Sequence, residues 1–216
     1  MYKLSVQAAH THIRRALDEL VSVEDIGMLA CPDSLDLHRL AEGFLSEAAV
    51  KVHENAPALL LDGVKAVEGV DFEASLEDGA VTIVMKKDTV RMASLKMSDS
   101  PVVVCDLVPE DSAEGRKQLN RYVRGVYDDP RVVLAKQWAA DHRPIFIYYS
   151  TEQDTMPEIS LEYVPYPHLK DSVVEICPRL EHAVLNEVTA MVLDAVSEHE
   201  KAALYRTRSQ ENMEGK

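Results

Sequence analysis

Cysteine is scarce in this chain, and what there is stands apart. Cys31, Cys105 and Cys177 are odd in number and form no CxxC pair, which argues against a disulfide framework and for a reducing compartment. Long apolar runs are missing too. No stretch approaches the ~20 residues of a membrane span, and the start, MYKLSVQAAHTHIRR, has no apolar core behind a basic end. Neither a spanning helix nor a secretory signal is therefore expected, and synthesis in the cytoplasm is. Positive charge is in deficit: 37 acidic residues face 23 basic ones, for a formal net charge of −14. Such a chain does not wrap DNA by neutralising phosphates, because that requires clustered Lys and Arg. Acidity of this size serves solubility, and beside DNA it makes a wall that repels the polymer.

Signatures of chemistry are absent as well. The chain has no P-loop, GxGxxG, GxSxG or HExxH. His10 and His12 sit two apart on an expected helix, where the ~100° helical step turns their rings about 200° from each other, so a solvated helix face is expected there and no metal. His182 and His199 lack the Glu three positions before them that di-iron bundles use. Cys31 and Cys177 have no local base to lower a thiol pKa and read as small buried residues. Among so many acids no carboxylate pair can be assigned a role. No catalytic residue, metal or cofactor is expected, and the chain reads as a non-enzyme.

What is present is periodicity. The 216 residues, 46% hydrophobic and 28% charged, suit one domain or one with a small insertion. Val6, Ala9, Ile13, Ala16, Leu17 and Leu20 mark a helix over roughly 5–21. Leu37, Leu40, Ala41, Phe44, Leu45, Ala48 and Val52 mark a second, entered at Pro32-Asp33-Ser34 and closed near Asn55. The period then becomes two. Phe72, Ala74 and Leu76 alternate with acids, Asp78-Gly79 suits a tight turn with positive φ at both residues, and 80–85 returns. Further strands are expected over 90–97, 101–107, 131–136, 144–150 and 159–163, with a short basic helix over 113–124 stopped by Gly125. A single long helix is expected from Pro178, with SQENMEGK as a polar tail. Its residues Leu180, Val184, Val188, Met191, Ala195 and Ala202, flanked by Leu185, Val192 and Val196, leave more apolar surface than one stripe needs. That surplus asks for a partner chain.

Together these make an α+β fold. A helical bundle body, built of two N-terminal helices plus a long C-terminal helix, carries an antiparallel β-hairpin insertion. The segments are 1–57, 58–170 and 171–216, forming one compact unit. Candidate contact residues follow. Lys117, Arg121 and Arg124 fall on one face of the expected basic helix, open to an acidic strip of a neighbouring copy or to salt bridges within the subunit. Trp138, Tyr148, Tyr149, Tyr163 and Tyr166 are of types enriched at interfaces. Adjacent Tyr148 and Tyr149 face opposite sides of a strand, so one lies off the main core or both faces are covered. On the closing helix Leu185, Val188, Met191, Val192 and Val196 are the candidates.

The strings KQLNRYVRG (117–125), DPRVVLA (129–135), PIFIYYS (144–150) and PEISLEYVPYP (157–167) resemble ring or adaptor proteins of the head-to-tail connector in tailed phages, most closely those of crAss-like phages. The likeness covers roughly the last half of the chain. It rests on a Lys-Gln, an Arg-aromatic, an Arg-Gly, a strand ending Tyr-Tyr-Ser and a closing helix. It implies a structural virion protein in the neck, with a ring of usually twelve copies stacked on the portal and on adjacent connector or tail proteins. The genome would pass through the channel without specific binding. The competing expectation is a small cytoplasmic binding or regulatory protein of lower oligomeric state.

Overall fold

The protein is mixed α+β. The computed structural model describes residues 1–20, 34–61, 65–66, 71–120, 122–126, 128–135, 144–149 and 155–214. Its contacts group into two compact units. One is Met1–Gly63 with Pro167–Lys216, and the other is Val64–Tyr166. The expected single compact unit is thus two, with the β-rich middle inserted between the halves of the helical one.

The first unit contains β1 (Tyr2–Ser5), α1 (Val6–Leu20) and α2 (Ser34–Asn55) from the N-terminal side. The stripe Val6, Ala9, Ile13 and Ala16 is buried on α1, and Leu37, Ala41, Leu45, Ala48 and Val52 are buried on α2. Both keep the three- and four-residue spacing that puts apolar groups on one face. Three elements return from the far end of the chain. A strand, Val173–Ile176, pairs antiparallel with β1, joining Tyr2 to Ile176 and Ser5 to Val173. Two helices follow, Glu181–Ala195 and His199–Glu214. Sequence periodicity had missed the β1 pairing, because four residues hold too few alternations to register.

The single closing helix is a correction. The chain breaks after Ala195, although nothing between Ala195 and His199 is Gly or Pro. Ser197 takes a positive φ of 66°. Its N–H donates to Asp194 O at 3.0 Å, and the Glu198 N–H donates to Leu193 O at 2.8 Å. This double closure caps the last carbonyls of the first helix with a left-handed residue. The Asp194 carboxylate then accepts from His199 Nδ1 at 3.0 Å and from Arg206 Nη2. These donors, His199 first, hold its carboxyl below the ordinary range. The second helix therefore doubles back: Ser209 Oγ donates to Ala183 O at 2.9 Å, tying its far end to the start of the first. Residues 209–214, expected as a polar tail, are part of it.

The second unit is more than the expected hairpin. It holds β2 (Lys65–Ala66), β3 (Phe72–Glu77), β4 (Ala80–Met85), β5 (Thr89–Met97), β6 (Val103–Val104), β7 (Leu107–Pro109), α3 (Ala113–Gln118), β8 (Arg131–Ala135), β9 (Ile145–Tyr149) and β10 (Ile159–Pro165). In chain order the strand Val173–Ile176 is then β11, and the closing helices are α4 and α5. Asp78 and Gly79 have φ of 49° and 70°, the values a two-residue turn between right-twisted strands demands. Two sheets form, ordered β2-β10-β5-β6 and β3-β4-β9-β8-β7. All pairings are antiparallel except β7 with β8. The expected strand over 101–107 is two short pieces, β6 and β7. One cluster draws on both sheets: Val81, Ile83 and Met85 from β4, Met92, Leu95 and Met97 from β5, Phe146 and Tyr148 from β9, Leu161 and Tyr163 from β10. The alternation in β4 and β5 is what aims these side chains to one side.

Candidate functional site

Helix α4 was expected to offer spare apolar surface, and it offers almost none. Every residue from Ala183 to Ala190 is buried, as are Val192 and Leu193. The helix is surrounded by α1, α2 and α5 of its own chain. The α4–α5 turn explains this, because it folds a cover onto the face the sequence left open. Leu185, Val188 and Val192 are thus core residues rather than contacts. Met191 is half-buried, and only Val196, at the turn, is exposed, at 37%.

The aromatic candidates are likewise absorbed. Tyr148, Tyr149 and Tyr163 are all buried. Both faces of β9 are covered at this point, so neither neighbouring Tyr is off the core. Burial pushes the phenols of Tyr149 and Tyr163 up from their ordinary value. Tyr166 is half-buried, while Trp138 and Arg121 lie outside the described residues, as does Cys31.

Histidines play structural parts. His10 and His12 are both half-buried on α1, not solvated as expected. His12 Nδ1 lies 3.0 Å from Thr189 Oγ1, whose hydroxyl donates to Leu185 O. Buried His53 donates from Nδ1 to Ala49 O at 2.6 Å and accepts at Nε2 from the Cys177 N–H at 3.0 Å. That pattern needs the neutral ring with its proton on Nδ1. Among the described residues no group of three His, Cys, Asp or Glu is gathered to hold a metal. A cavity of about 450 Å³ opens in the helical unit beside Lys51, Glu187, Arg206 and Met213. Its buried polar groups are engaged: Glu187 pairs with Lys51 at 2.5 Å, and Ser209 holds Ala183 O.

The surface that stands out is the segment after α3. Ser112 caps that helix, accepting from Gly115 N at 2.9 Å. Gly115 lets it lie against β7, since a Cβ there would meet Pro109 O at 2.2 Å. The helix ends at Gln118, six residues before the expected Arg124, because side chains take over the backbone groups. Asn120 Oδ1 accepts from Tyr122 N at 3.0 Å, and buried Gln118 accepts at Oε1 from Gly125 N at 2.8 Å. Such local bonds compete with helix. Arg124 Nη2 donates to Asp78 O at 2.7 Å, fastening the loop to the hairpin turn, and Val126 bridges to Asp129. Gly125 is required, since a Cβ would meet Arg131 N at 2.8 Å. Lys117 and Arg124 consequently do not share a helical face.

This well-tied loop turns its apolar side chains outward. Tyr122 is 95% exposed, Leu119 72%, Val126 61% and Val123 58%. Of the ten exposed large hydrophobics among the described residues, four fall within 119–126. Residues 116–126 also carry four cations and no acid. Arg116 and Lys117 are exposed. Neighbouring Arg131 is taken up by Asp129 at 2.8 Å and Glu114 at 3.7 Å. Folding alone gives no reason to hold Leu, Tyr and two Val in water on a fixed backbone. A rigid cluster of Tyr, Arg and aliphatic groups is the composition of a protein-contact anchor. Sequence reasoning had the cations and missed Leu119, Tyr122, Val123 and Val126. Leu119, Tyr122 and Val123 fall inside the helix expected over 113–124, which in fact stops at Gln118.

Compared with known proteins, the chain matches no family model, and no curated protein is significantly similar to it.

Proposed function

We propose that this chain is a non-enzymatic structural subunit of the head-to-tail connector of a tailed phage. It forms a ring of copies, twelve by the resemblance, between the portal and adjacent connector or tail proteins. The helical unit, a bundle body, forms the packed mass of the ring, and the β-rich unit supplies contacts to neighbouring chains. The observation that carries the reading is the outward apolar and cationic loop of 119–126, all but Val126 of which falls inside the KQLNRYVRG string on which the resemblance rests. It is a surface for contact and not for chemistry.

The charge supports the same role. Many copies of a chain at −14 line a channel whose walls repel phosphate, so that DNA slides through without specific binding. Helix α4 contributes nothing to the case, since its own chain covers it.

Mass spectrometry of purified particles of the phage that encodes this chain tests the reading. The expected result is this protein at a fixed ratio to the portal, with particle images showing a ring around the genome path below it. A protein found free in infected cells and absent from particles would overturn the proposal in favour of a small cytoplasmic regulatory protein.

A further inference from the structure

We propose that the 116–126 loop is the plug of a head-to-tail contact between two copies of this chain, and that it seats on the outer face of α5 of the next copy. The proposal rests on the ring reading above and names the surfaces that make it. A closed ring of identical subunits needs two different patches on each, and these two are complementary in charge and in apolar content.

On the plug side are Arg116, Lys117 and Arg124, with no acid between 116 and 126, around the exposed Leu119, Tyr122, Val123 and Val126. On α5 two of the three Lys and Arg side chains are paired with carboxylates, and the third, Arg208, is exposed. Lys201 pairs with Glu198 at 3.2 Å, Arg206 with Asp194, and Arg208 stacks 5.0 Å from the centre of the Tyr205 ring. Exposed Glu200 and Glu211 remain on that helix, with exposed Leu204 between them. Glu200, Leu204, Arg208, Glu211 and Glu214 follow one another at three- and four-residue spacing and so share one exposed stripe, three carboxylates to one guanidinium. Val196, at the turn before the helix, adds a second exposed apolar group. A net acidic stripe that carries Leu204 fits an apolar knob with a cationic rim. The same loop is ill suited to nucleic acid. Three aliphatic side chains gain nothing from a wet phosphate backbone, and the chain around them is acidic.

The plug is also preorganised. Gln118, Asn120 and Arg124 hold its backbone through the bonds to Gly125 N, Tyr122 N and Asp78 O. Little ordering is left to oppose docking.

The test uses the purified full chain with a photoreactive benzoylphenylalanine in place of Tyr122, illuminated over a range of concentrations. The expected product has twice the subunit mass, rises with concentration, and carries its cross-link between position 122 and the peptide 199–214. The paired variant Arg116→Glu/Lys117→Glu is expected to weaken self-association about tenfold or more. Mixing it with Glu200→Lys/Glu211→Lys is expected to restore association between the two variants. A chain that stays monomeric and uncross-linked up to millimolar concentration overturns the proposal. So does a cross-link mapped away from α5, or one formed only to added duplex DNA. The particle composition that tests the proposed function is unaffected by any of these results, so the two can fail separately.

Discussion

Helix α4 has ten of its fifteen residues buried, while the loop at 119–126 carries two arginines among its eight residues. By composition the helix is the segment that needs a partner and the loop is the one that belongs in water. In the folded chain the helix is surrounded by α1, α2 and α5, and the loop holds out Tyr122 and Leu119. Total apolar content therefore says how much cover a segment needs, not where the cover comes from. An apolar group is a docking signal when the fold could have covered it and instead fixes it outward.

Substitutions on each side sharpen this contrast. The largest effect belongs to α4. Leu193→Ala, at a fully buried position shared with Ala202 and Tyr205, is expected to cost about 2–5 kcal/mol in urea unfolding of the isolated chain. A cost below 1 kcal/mol would mean that α4 is not covered by its own subunit in solution. His53→Ala comes next. It leaves the buried Cys177 N–H without the His53 Nε2 acceptor, at about 1–3 kcal/mol, measured the same way.

The turn that folds the cover onto α4 is tested by Ser197→Gly. Relief of the left-handed strain at φ 66°, set against the extra chain entropy of Gly, is expected to stabilise by about 0.5–1 kcal/mol. Destabilisation would show that the turn is held by something other than its backbone geometry. A weaker, pH-dependent contribution comes from Asp194, whose folded-state carboxyl is depressed by His199 and Arg206. A depressed carboxyl stabilises above its unfolded value of about 4 and loses that contribution as pH falls through the folded value. Asp194→Asn is expected to flatten the acid limb of a stability–pH curve, and an unchanged limb would discount the cluster.

The smallest effect is expected at the loop. Tyr122→Ala or Leu119→Ser should leave the unfolding free energy of the monomer within about 0.5 kcal/mol. A loss comparable to Leu193→Ala would show that the loop is covered within its own chain, and the contrast with α4 would vanish.

Much of the architecture was legible in local spacing. The stripes of α1 and α2, the Asp78-Gly79 hairpin and the strands β5, β8, β9 and β10 follow from periods of 3.6 and 2 and from one turn pair that suits positive φ. The short pieces, β1 with β11 and β6 with β7, were not legible, since two to four residues carry no period. The candidate site was half visible: Lys117 and Arg124 stood out by charge. The outward turn of Leu119, Tyr122, Val123 and Val126 did not, because it depends on where α3 stops. Gln118 and Asn120 decide that by bonding Gly125 and Tyr122 rather than by their helix propensity.

By itself the amino-acid order determined which segments are amphipathic, how acidic the chain is, and that a helix of the α4 kind must be buried by something, because local period and water's rejection of apolar surface need no knowledge of the rest. Only the tertiary structure decided what does the burying. A single residue in left-handed backbone, Ser197, turns α5 back along α4, and loop bonds spanning seven to forty-six residues leave Tyr122 outside. These are contacts between parts distant in sequence, and a window read along the chain does not bring them together.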